Sequence, residues 1–355
     1  MSRAVLFHGG RIHIGDGRSA QALLARDGRV AALGSAKDLK REASDAELVD
    51  LRGGLMVPGW VDAHVHFIWW ALQMSQLDLR ESKTLDEALA LGLRTGFGDD
   101  WLRIGHLKLF TDGALGSQTA ALDEPYAGSQ ERGILAIEPE TLTQEVARAA
   151  AGGIAVAIHA IGDRAVHVAL DAIAPTRTIA PELRQKIEHV QLVRADELGR
   201  FAALGVIASM QPIHATSDRD LADRHWGPER TKRAYPWRTL LASGARLAFG
   251  SDAPVEPIDP LLGIYAAVAR RRPGDADAWT PEQRLTLDEA LAGYSSGPAY
   301  ALAREKASGT LAVGMVCDAT VVDRDLARVP EADILAAAVR ATVTGGVVRY
   351  EDGLA

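Results

Sequence analysis

Two histidines one residue apart, His64 and His66, close the apolar stretch Val57-Pro58-Gly59-Trp60-Val61-Asp62-Ala63-His64-Val65-His66-Phe67. Read as a strand over 60–66, this stretch alternates its side chains between faces, so both imidazoles project from one face about two rises apart. Imidazoles held that way suit one ion of the zinc, iron, manganese or nickel type. Alone, the pair reads equally well as two polar residues at a strand end. Four more apolar runs, however, end in residues of similar chemistry. Lys108 stands in Leu107-Lys108-Leu109-Phe110-Thr111-Asp112-Gly113 and His159 in Ala157-Ile158-His159-Ala160. His189 stands in Ile187-Glu188-His189-Val190, and Asp252 follows Phe249-Gly250-Ser251. In parallel α/β folds the C-terminal strand ends meet at one mouth, where ligand sites form. Residues this far apart in the sequence are therefore expected to converge on a metal centre.

The elements that must position them follow a change of grammar along the chain. Residues 1–56 read as short strands (4–8, 11–14, 21–26, 29–33, 47–50) separated by Gly and Asp, with Asp27-Gly28 a two-residue hairpin turn. From Pro58 strands alternate with helices. Strands are expected at 60–66, 102–110, 154–159, 186–190, 206–211 and 246–250. Helices are expected at 84–93, 139–151, 163–173, 195–204, 236–242, 260–270 and 287–291, and a polar loop at 214–233. Thr84 and Asp163 are candidate helix caps. This alternation implies a parallel sheet covered by helices, either a barrel or an open doubly wound sheet. From Gly309 strand grammar returns at 319–322, 339–344 and 347–350. The expected organisation is an α/β unit over 57–304 inserted into a discontinuous β domain made of 1–56 and 305–355.

Bulk properties narrow the partners. A formal net charge of −8, with no basic patch interleaved with aromatics, argues against nucleic acid and anionic membranes. The single cysteine, Cys317, excludes an internal disulfide and a multi-cysteine metal site and fits a reducing cytoplasm. No apolar stretch approaches the ~20 residues of a membrane-spanning helix, and Met1 to Gly10 is too weakly apolar for a signal peptide. A soluble cytoplasmic protein acting on a small molecule is expected.

Four segments together carry a family resemblance. Pro58-Gly59-Trp60-Val61-Asp62-Ala63-His64-Val65-His66, His159-Ala160-Ile161-Gly162-Asp163, Ile187-Glu188-His189 and Gly250-Ser251-Asp252-Ala253-Pro254 resemble the signatures of the amidohydrolase superfamily. The branch that contains N-substituted formamide deformylase is the most similar, and Lys108 through Gly116, with Ser117 and Thr119, resembles it too. The resemblance implies a TIM-like (β/α) barrel with a small β-sandwich domain. It implies that His64, His66 and Asp252 bind one divalent ion, with zinc favoured. His159 and His189 would bind a second ion or stand in the shell of a single one. Lys108 matches a lysine that relatives can carry carboxylated between two metals; the alternative is a free amine that pairs with Asp112 or with substrate. The implied reaction is hydrolysis of a C–N bond other than a peptide bond (amide, N-acyl, N-formyl or cyclic amide). A metal-activated water would attack, with Asp252 as general base and acid and His189 helping to polarise the carbonyl. Asp112 and His214 are the candidate substrate contacts, and Trp69 and Trp70 are assigned to core packing.

One departure stands out: a closed barrel needs eight strands, and the α/β part offers six. The deficit of two βα units lies between His66 and Lys108. An incomplete barrel exposes strand edges that invite a homodimer. Two other readings follow, a shortened inactive relative that serves as a binding or assembly module, and an esterase built on the same metal site.

Overall fold

A computed structural model describes residues 4–15, 17–66 and 84–353. They cluster into two compact units, one holding 4–62, 259–269 and 285–353, the other 63–258 and 270–284. Trp69 and Trp70 lie outside the described residues.

The first unit is built of short strands. β1 (Ala4–His8), β4 (Ala22–Arg26), β5 (Arg29–Gly34) and β6 (Glu47–Asp50) form one sheet in the order β5-β4-β1-β6. β2 (Arg11–His13), β3 (Ser19–Ala20) and β7 (Leu55–Pro58) belong to another. Alternation decides the packing: Val5 and Phe7 of β1 enter a core with Ile12, Met56, Val321 and Ala341, which draws on both sheets. Ala4 and Leu6 face the other way, against Leu39 and Ala43, on the helix Ala36–Glu42 and its C-cap. Asp27 and Gly28, at φ +50° and +79°, make the two-residue turn between paired Arg26 and Arg29, as the sequence predicts.

In the second unit, β8 (Leu107–Phe110), β9 (Val156–Ala160), β10 (Lys186–His189), β11 (Ile207–Met210) and β12 (Arg246–Phe249) form a parallel sheet in the order β12-β11-β10-β9-β8. Helices Pro139–Ala151, Asp163–Ile173, Leu198–Leu204 and Trp237–Ala242 alternate with them. β10 and β11 are buried along their whole length, as central strands covered on both faces must be.

β13 (Ala319–Val322), β14 (Val339–Thr344) and β15 (Val347–Glu351) return to the first unit, where β13 pairs antiparallel with β7. Helices Pro260–Ala269, Leu287–Tyr294 and Ser296–Ala301, which the alternation assigns to the barrel segment, also cluster there. Pro260–Ala269 is apolar and buried along nearly its whole length, and Gly263 leaves room for the Tyr294 hydroxyl, which any Cβ there would strike.

Three expectations are corrected. Residues 60–66 form no strand, so the parallel sheet has five strands among the described residues rather than six. The segment does bond backbone to backbone with the end of β12: Ala63 N–H donates to Phe249 O (3.0 Å), Asp252 N–H to His64 O (2.8 Å) and His66 N–H to Ala253 O (2.9 Å). A ladder cannot propagate because Asp252 turns into the left-handed region at φ +59°. β8 begins at Leu107 instead of 102, because Asp99 Oδ1 accepts from the amides of Trp101 (2.7 Å) and Leu102 (2.9 Å) and curls 99–102 into a turn. The expected polar loop 214–233 contains the helices His214–Ser217, Arg219–Trp226 and Pro228–Thr231. Among the described residues no helix is long and apolar enough to cross a membrane.

Candidate metal centre

Asp252 is the hub. Its Oδ1 lies 3.2 Å from His64 Nε2 and 3.1 Å from His66 Nε2, and its Oδ2 lies 3.8 Å from His214 Nε2. Two three-residue groups result, His64–His66–Asp252 and His189–His214–Asp252, in each of which one potential ligand atom per residue lies within 4.8 Å of the others. They share the carboxylate. His66 is the open member, with 38% of its side chain exposed against 8% for His64. The T-shaped ring pairs His64–His66 and His64–His189 stand 5.2 and 5.1 Å apart.

The electrostatics follow from burial against neighbours. Burial disfavours the imidazolium of His64, but the carboxylates of Asp252 and Glu188 prevail and hold its pKa above the ordinary value. Burial would raise the Asp252 carboxyl, and the surrounding His64, His214 and His66 hold it below the usual range instead. His189 is driven far down by burial and by its fellow histidines, so it is a neutral imidazole with a lone pair to offer. Its Nδ1 stands 2.8 Å from Gln211 Oε1, which places that proton on Nδ1 and leaves Nε2 as the basic atom. The amide of Gln191 stands 3.3 Å from His214 Nδ1. His189 and Asp252 both adopt positive φ (+73° and +59°), a conformation held against its intrinsic cost by surrounding structure and concentrated at functional sites.

Lys108 Nζ is buried and, among the described residues, has no hydrogen-bond partner. It rests over the Phe110 ring at 5.0 Å, and desolvation pushes its pKa down to about 8. The pairing of Lys108 with Asp112, one alternative raised by the sequence, is absent. Asp112 is occupied by backbone: Oδ2 accepts from Ala121 N (2.9 Å) and Gly162 N (2.8 Å), and Oδ1 from Ile161 N (3.1 Å). The carboxylate thus staples two loops. Oδ1 also lies 3.4 Å from His159 Nε2, which stands 2.9 Å from Gly113 O. His159 is therefore turned toward that loop and belongs to neither donor group, although its ring centroid is 4.5 Å from that of His189. Asp163 is the first helical residue rather than the cap, which is Gly162; its Oδ1 accepts from Asp123 N and Arg164 N, both at 3.0 Å.

Sequence reasoning missed Lys186 and Glu188 and gave His214 only a substrate role. Glu188 has no solvent exposure, lies 2.8 Å from Lys186 Nζ through Oε1 and 3.3 Å from His64 Nδ1 through Oε2. The signal was available, since two charges at i and i+2 of a short strand must share a face.

Comparison with known proteins adds a second line. A family model described as "Amidohydrolase family" matches residues 82–350. The YtcJ protein of Bacillus subtilis is 34% identical over 256 residues, covering 71% of this chain and 48% of its own. N-substituted formamide deformylase of Arthrobacter pascens is 29% identical over 253 residues, covering 70% and 46%. The chain thus spans about half the length of the curated relatives it matches. Among solved structures, an uncharacterised metal-dependent hydrolase from Pyrococcus furiosus superposes with a TM-score of 0.77 at 23% identity, over 91% of this chain and 99% of that one. This likeness shows the fold.

Proposed function

Because the chain belongs to the amidohydrolase family, we propose that it is a metal-dependent hydrolase of C–N bonds other than peptide bonds. The observation that carries this reading is the convergence of His64, His66 and Asp252 within 4.8 Å. Two imidazoles and a carboxylate make a donor set suited to zinc with a position left for water or substrate. The donors fit such an ion: they are mutually close, one is a carboxylate held ionised, and Lys108 contributes a buried amine with no competing hydrogen bond among the described residues. His189 and His214 with Asp252 supply donors for a second ion. When bound, a divalent ion acidifies water from ~15.7 to about 7 and polarises a carbonyl.

The chain's own groups do the rest. Asp252 accepts the proton of the attacking water and returns it to the leaving nitrogen. His189, neutral and fixed by Gln211, offers Nε2 as a ligand rather than a proton. Lys108, in the carboxylated form, adds an anionic oxygen toward the same cluster. N-formyl and N-acyl amines are the favoured substrates, by analogy with the deformylase relative. The test is a panel of such amines assayed after chelation and after zinc is restored. Hydrolysis that returns with zinc is expected; no hydrolysis of any member by the zinc-loaded protein contradicts the reading. That result would favour the alternative of a non-catalytic relative.

The Lys108 amine yields a pH prediction. Its folded pKa lies near 8, below the ordinary 10.5. Between these values the unfolded chain binds the extra proton, so stability rises with pH across that window and is flat below it. In metal-free protein the gain from pH 8 to 10.5 is about 3 kcal/mol at most. Urea transitions at several pH values should show that slope in the wild type and lose it in Lys108→Met; equal slopes in the two proteins would contradict a buried, unpaired amine.

A further inference from the structure

The segment that bears His64 and His66 has no ladder running along it, and two side chains of β10 hold it from below. Lys186 and Glu188 flank Ile187 and so face the same side of the sheet. Glu188 Oε1 lies 2.8 Å from Lys186 Nζ, and the same Nζ donates to Ala63 O at 2.9 Å. Glu188 Oε2 lies 3.3 Å from His64 Nδ1. One buried ion pair therefore grips the segment twice, by the carbonyl just before His64 and by the His64 ring.

A neutral imidazole carries one N–H and one lone pair. A carboxylate beside Nδ1 favours the tautomer with the proton on Nδ1 once a cation occupies Nε2, which then offers its lone pair. That is the atom 3.2 Å from Asp252 Oδ1. A carboxylate with no solvent exposure would not stay ionised alone, and Lys186 at 2.8 Å supplies the countercharge. We propose that Lys186 and Glu188 are a positioning pair: Glu188 fixes His64 as the Nδ1–H tautomer and orients its Nε2 toward a divalent cation, while Lys186 sustains the carboxylate and anchors the chain at Ala63. Both the tautomer and the purpose assigned to the pair rest on the metal-centre reading above, because Asp252 Oδ1 competes for the proton at Nε2 until a cation stands there.

Two measurements separate these claims. In zinc-loaded wild type labelled with [15N]histidine, the His64 resonances (assigned with His64→Gln) should report the proton on Nδ1 and the metal on Nε2. A proton on Nε2 overturns the proposal. Zinc affinity is then measured by chelator competition in the double variant Lys186→Met/Glu188→Leu, which removes both charges and leaves no buried ion unpaired. Affinity should fall by about 10–100-fold. Lys186→Met/Glu188→Gln, whose carboxamide oxygen can accept from Nδ1 but which lacks the anchor at Ala63, should recover at least about threefold of that loss. Wild-type affinity in the folded leucine variant, or no recovery with glutamine, overturns the proposal. A wild type that takes up no divalent ion sinks the metal reading and this proposal with it, whereas zinc held through Nδ1 overturns the proposal alone.

Discussion

Asp252→Asn is expected to lower kcat/KM on an N-acyl or N-formyl amine by about 10³–10⁴-fold, as removal of a proton-transferring group that is also a metal ligand should. Asparagine keeps the shape of the side chain and tolerates the left-handed backbone found at this position (φ +59°). The amide hydrogen bond from residue 252 to His64 O, 2.8 Å long, is also untouched. What is lost is the negative charge between His64, His66 and His214 and the capacity to accept a proton. Steady-state kinetics with a melting curve check this: a folded variant within tenfold of wild type would remove Asp252 from the base role.

Arg270→Met is expected to lower stability by about 3–5 kcal/mol, the scale of breaking a buried charged network. Arg270 is fully buried. Its Nη1 and Nη2 donate to Tyr235 O and Ala234 O, both at 2.9 Å, and Nε donates to Trp279 O and Thr280 Oγ1 at 3.1 Å. The guanidinium carbon sits 4.1 Å from the Trp237 ring centroid and 5.3 Å from that of Trp279. Methionine fills the space but withdraws the guanidinium donors from Ala234 O, Tyr235 O and Trp279 O, of which Tyr235 O keeps the Trp237 amide at 2.9 Å. Lysine cannot reproduce the planar fork, so Arg270→Lys should also lose stability. The shift of the urea transition measures the effect, and a loss under about 1 kcal/mol would show that water replaces the guanidinium, contrary to the packing described.

The histidine cluster was legible because parallel strands bring their C-terminal ends together whatever the exact strand limits, so His64, His66, His189 and Asp252 converge although 60–66 is not a strand. The stapling role of Asp112 was not legible for a general reason. Its partners are the backbone amides of Ala121, Ile161 and Gly162, and no pattern of side chains records an amide. His159 stands one residue before the end of its strand, and its ring turns to Gly113 O, a rotamer choice made by a loop remote in sequence. The helices between His214 and Thr231 are short and rich in charge, so they lack the apolar periodicity that reveals longer ones. Lys186 and Glu188 acquire their meaning from the burial of β10 from end to end, which a four-residue strand with two charges does not announce.

The most direct test of the central claim is the metal content of the protein purified without chelator, measured beside His64→Ala and His66→Ala. The wild type should hold at least about one equivalent of divalent metal per chain, and each alanine variant, still folded, should lose most of it. Fewer than about half an equivalent in the wild type, or full retention in His64→Ala, would contradict a metal centre built on His64, His66 and Asp252.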